Sequence, residues 1–90
     1  MLTPLTLSVP LGKDYRALAA DAAAKYAELA GCAASSSAKT AAAVLADLAA
    51  RAEAIGGVSH VTLECRAHAD QVDIVIQGSG RPVTLHCALP

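Results

Sequence analysis

Ninety residues with seven Lys and Arg against eight Asp and Glu carry a net charge of −1, enough chain for one small domain spanning residues 1–90. No Lys and Arg cluster supplies the basic surface that nucleic acid binding needs, so no nucleic acid partner is expected. Hydrophobic residues make up 54%, yet 22 of them are alanine and Phe and Trp are absent, so the core has little side-chain volume and a protein partner or a homodimer is expected to complete it.

The N-terminal stretch 1–12 has no basic segment followed by an apolar core of signal-peptide length. Asp, Lys, Glu and Arg interrupt every alanine run, so no membrane span is expected. Three cysteines, an odd number, do not suggest a disulfide framework. Residence in the cytoplasm follows as the expectation.

Leu5, Leu7 and Val9 alternate with Thr6 and Ser8 between Pro4 and Pro10, a short strand suited to a sheet edge because proline donates no N–H. After Leu11-Gly12, the residues Leu11, Tyr15, Leu18, Ala22, Tyr26 and Leu29 recur at helical steps, which predicts a first helix buried along that stripe. Asp21 and Lys25 are spaced for an i,i+4 pair on it. Gly31 ends this helix, and a short link makes its successor an antiparallel neighbour. In the second helix Val44, Leu45, Leu48, Ala52 and Ile55 form the apolar side, with Ser35 to Ser37 as N-cap and Gly56-Gly57 as stop.

The period then changes from 3.6 to 2. Val61, Leu63, Cys65 and Ala67 form one strand, and His68-Ala69-Asp70-Gln71 a hairpin connection. Val72, Ile74 and Ile76 form the inward face of a second strand, and Gly78-Ser79-Gly80-Arg81 turns the chain again. A last strand sets Val83, Leu85, Cys87 and Leu89 inward. The expected fold is an α+β two-layer sandwich, β-α-α-β-β-β, with two antiparallel helices on one face of a mainly antiparallel sheet.

Two groups of polar residues are candidates. On the open sheet face, tight hairpins set Asp73 beside Arg66 and His86, with Val75 as the one large aliphatic neighbour. No serine or cysteine is expected on that face beside His86 for a nucleophilic relay, so its reading is a cross-strand charge cluster or an interface for a second subunit or partner. Asp47 and Arg51, four apart on the second helix, read as a solvent-facing ion pair, or as the polar wall of a ligand cleft closed by Ile76, Gly78, Ser79 and Gly80. No catalytic residue is assigned. No metal site is expected either: Cys32, Cys65 and Cys87 lack zinc-knuckle spacing, and cysteine is commonly a small core residue.

The segments LSVPLGKDYRALAADAAAKYAELAG, AVLADLAARAEA and IVIQGSG together resemble the start, the metal-binding helix and the glycine box of the histidine-kinase and gyrase-type ATP-binding domain. In layout the chain is most similar to the anti-sigma-factor serine kinases. The resemblance implies an ATP site in which the second helix carries a Glu and a magnesium-binding Asn, and the box an adenine-reading Asp. Here those positions hold Asp47, Arg51 and Ile76, and only Gly78 and Gly80 keep the box. Ile76 accepts no hydrogen bond, Arg51 repels a cation, and the chain runs from the box straight into Val83 with no phosphate lid. The resemblance thus implies a truncated, degenerate relative that binds no cofactor and serves as a regulatory or protein-interaction module in signal transduction. An alternative is a small-ligand or anion-binding domain, enzymatic or not, that uses Arg51 in the cleft.

Overall fold

A computed structural model describes residues 2–55, 59–78 and 80–90, without the side chain of Ile55. The expected Gly56-Gly57 stop, Ser79 and the place of the Ile55 side chain lie outside the described residues. The order is β1 (Leu5–Pro10), α1 (Lys13–Ala30), α2 (Ala34–Ile55), β2 (His60–Ala67), β3 (Gln71–Gln77) and β4 (Val83–Ala88). The four strands form one sheet in the order β1-β2-β3-β4, antiparallel throughout. Both helices cover one face of it, the α+β sandwich that the pattern of periods implies.

Alternation sets the register. Val61, Leu63 and Cys65 on β2, Val72, Ile74 and Ile76 on β3, and Cys87 on β4 are buried under the helices. The intervening residues face away from the helices because the side-chain period of a strand is two. Two edges remain. β1 pairs with β2 alone, and β4 with β3 alone. A turn closed by the His68 amide donating to the Gln71 carbonyl (2.8 Å) joins β2 to β3, so Gln71 opens β3 and does not belong to the connection.

Helix α1 ends at Gly31, whose φ of 113° is left-handed and whose amide donates to Glu28. Glycine takes that conformation without steric cost. Two details of the helices differ from expectation. The Ala33 carbonyl accepts the Ser37 amide at 3.0 Å, so α2 starts before the serines and they sit in its first turn. Ser37 then turns its hydroxyl back to the Ala34 carbonyl and across to Glu28. Lys25 pairs with Glu28 at 3.5 Å in place of Asp21.

The larger correction concerns the buried face of α1. Ala19, Ala20, Ala23, Tyr26 and Ala27 face the interior, while Tyr15 (48%), Leu18 (54%) and Leu29 (69%) are exposed. From the expected stripe only Leu11 and Tyr26 are buried, and Tyr26 donates its hydroxyl to the Thr3 carbonyl. The leucine stripe lies about 100° round the helix from the alanine face. Close packing explains the choice: α1 must fit against both the sheet and α2, and alanine lets three backbones approach where leucine would hold them apart. On α2, Val44 and Leu48 are buried as expected, whereas Leu45 is exposed.

This packing makes Ala23, with no exposed surface, intolerant of volume. Ala23→Leu is expected to cost about 1–3 kcal/mol by overpacking, and Ala17→Leu, on the exposed side of the same helix, to change stability by less than about 0.5 kcal/mol. Urea denaturation of the two variants measures the difference.

Candidate functional site

Five of the six residues expected to line a cleft, Asp47, Arg51, Ile76, Gly78 and Gly80, converge where the C-terminal half of α2 meets the β3–β4 turn. Arg51 is the centre. It is not solvent-facing: only 7% of it is exposed. Its Nε donates to Asp47 Oδ2 at 2.6 Å, the i,i+4 partner one turn earlier. Nη1 donates to the Gly78 carbonyl at 3.0 Å, and Nη2 to the carbonyls of Ile76 (3.5 Å) and Arg81. A guanidinium presents its donors as a rigid planar fork, and here the fork is spent on one carboxylate and three backbone carbonyls.

The turn is shaped to receive it. Gly78 and Gly80 have φ of 94° and 138°. A β-carbon on Gly78 would lie 3.1 Å from the His60 carbonyl oxygen, and one on Gly80 3.5 Å from Arg51 Nη1. Ile76 is completely buried in the core. What remains open is a groove of about 250 Å³ bordered by Asp47, Ala50, Arg51, Ala54, Gly80, Arg81 and Val83, smaller than the ~300–1,000 Å³ of ordinary ligand pockets. The sequence brings the right residues together, but arginine fills the space between them. Ser79 lies outside the described residues.

A second cluster stands on the open sheet face. The register places Arg66, Asp73 and His86 side by side and aligns Val75 with Glu64 and Thr84. Arg66 turns along its own strand to Glu64, and leaves Asp73 to three other groups. His86 Nδ1 lies 2.7 Å from Asp73 Oδ1, His68 Nε2 lies 2.9 Å from Oδ2, and Gln71 Nε2 donates to Oδ1 at 2.8 Å. Sequence reasoning missed His68 and Gln71. Both fall at the hairpin, where alternation gives no facing residue. Desolvation raises the Asp73 pKa, but the His86 hydrogen bond, the charges of His68 and His86 and the His68 hydrogen bond outweigh it, and the carboxyl titrates below its ordinary value.

The thiols belong to the interior. Cys32, Cys65 and Cys87 are free and buried. Burial, with the hydrogen bond and charge of Cys87, pushes Cys32 up to about 11, and burial with the Glu64 charge pushes Cys65 to about 11. Such thiols are poor nucleophiles at neutral pH. Among the described residues no three His, Cys, Asp or Glu side chains are arranged to hold a metal ion, and no helix is long and apolar enough to cross a membrane.

No protein-family model matches the chain, and no curated protein matches its sequence.

Three variants test this geometry. Arg51→Ala leaves Asp47 and three carbonyls without their donor, a loss expected at about 3–5 kcal/mol in chemical denaturation. Arg51→Lys is expected to restore less than half of it, because an ammonium cannot reach carbonyls spread round a turn. The lowered Asp73 pKa contributes stability that is complete above the unfolded-state value and is lost as pH falls through the folded one. Asp73→Asn is therefore expected to flatten the acid limb of a stability-against-pH profile below about pH 4.

Proposed function

We propose that this chain is a non-catalytic protein-interaction module of signal transduction, a degenerate relative of the histidine-kinase-type ATP-binding domain that keeps the layout and has given up the nucleotide. The observation that carries the reading is the position of Arg51. In the layout that the sequence resembles, the space between the second helix and the glycine turn would receive adenine and metal-bound phosphates. Here a side chain of the protein itself occupies that space and bonds its backbone. Ile76, without a polar atom and wholly buried, stands where the resemblance would put the adenine acceptor. Both facts support a chain that works through its surface.

An anion-binding use of Arg51 draws less support. The guanidinium already has four acceptors, and three carbonyl oxygens point at it. An incoming anion would have to displace them and would meet their negative ends.

The test is isothermal titration of the chain with ATP and magnesium, and separately with inorganic phosphate. No saturable heat is expected up to millimolar ligand, against the ~8 kcal/mol of binding free energy that a micromolar site supplies. Saturable binding of either ligand that Arg51→Lys abolishes would overturn the reading.

A further inference from the structure

The flank of α1 that carries Tyr15, Leu18 and Leu29 does not stand alone. It borders the free edge of β1, and Ala22, Lys25, Tyr26 and Leu29 form one wall of an apolar groove whose other wall is Leu2, Thr3, Pro4 and Leu5. The backbone of β1 between Pro4 and Pro10 pairs on one side only, so its outward N–H and C=O groups form a template for another strand. We propose that this composite surface is the interface of a twofold-symmetric homodimer, in which β1 pairs antiparallel with β1 of a second copy and the two α1 helices pack across the axis. The proposal deepens the protein-interaction reading and rests on it.

Two observations favour a second copy over another partner. The occupant must offer a strand edge and, on the same side of the sheet and at the same offset, an apolar helix. A second copy turned about an axis near Leu7 offers both, because antiparallel extension of the sheet keeps all four helices on one face.

Area is the second. The exposed parts of Leu5, Tyr15, Leu18 and Leu29 amount to roughly 400 Å² per protomer, about half of the ~800 Å² per partner in a standard interface. The strand backbone with Leu2, Pro4 and Ala22 adds to it, and Ala22 near the middle of the stripe lets the helices approach. The opposite edge is less suited: the groove beside β4 is lined by Ser36, Lys39, Thr40 and His86 among others.

Light scattering on the full chain is expected to give twice 9.0 kDa at ~50 µM, and the double variant Leu18→Glu/Leu29→Glu to give the monomer mass, with dissociation at least ~100-fold easier. Leu45→Glu, an exposed leucine on α2, is expected to leave the dimer intact. Should the double variant fold poorly, nitroxide labels on otherwise native chains decide the matter. At Thr6→Cys they are expected within ~20 Å of each other across the axis, and at Ala88→Cys more than ~30 Å apart, from the ~4.8 Å spacing of eight strands. A monomeric wild type at ~100 µM, a dimer unaffected by the double variant, or distant Thr6 labels would overturn the proposal. A monomer that ignores nucleotide would leave the protein-interaction reading standing. A dimer that binds nucleotide would sink that reading and leave the interface.

Discussion

Close approach of helix to sheet governs this structure. Helix α1 buries Ala19, Ala20, Ala23 and Ala27 against the sheet and α2, and α2 buries Val44 and Leu48. With no Phe or Trp to span a wider gap, the two layers can be filled only if the backbones come near each other. Everything bulky that does not fit between the layers is displaced. The exposed leucines of α1 are thus a consequence of how the core is packed, and a surface that wants covering is generated by the same choice of residue that makes the interior tight.

Arg51 shows a second use of limited space. A buried guanidinium is costly unless every donor is met. Asp47 meets one, and the positive-φ turn at Gly78 and Gly80 bends three carbonyls towards the others. The glycines therefore have a structural duty in this chain.

Periodicity made most of the architecture readable. The change from steps of 3.6 to steps of 2, with glycine at the joints, located six elements and the inward face of every strand. Asp73 beside Arg66 and His86 followed from the same alternation. Where the reading failed, size and burial were the missing information. A helical wheel ranks Leu18 and Leu29 above alanine, but it cannot know that two neighbouring layers leave room for a methyl group alone. Nor does i,i+4 spacing tell an exposed ion pair from one whose arginine reaches past its partner, 25 to 30 residues onward, into another turn. Capping preference alone does not place the start of α2 either: serine is the better cap, yet the Ala33 carbonyl accepts the first helical bond and the serines fall inside the first turn.

The reach of Arg51 bears on how the molecule breathes. One residue joins the last two turns of α2 to the β3–β4 hairpin, so neither can open while the other stays shut. Amide protons in the two segments should accordingly exchange with solvent at a common rate, as a single cooperative unit far apart in the chain. Fraying at the end of α2, which an unattached helix terminus would do freely, is coupled instead to the dissolution of a sheet edge.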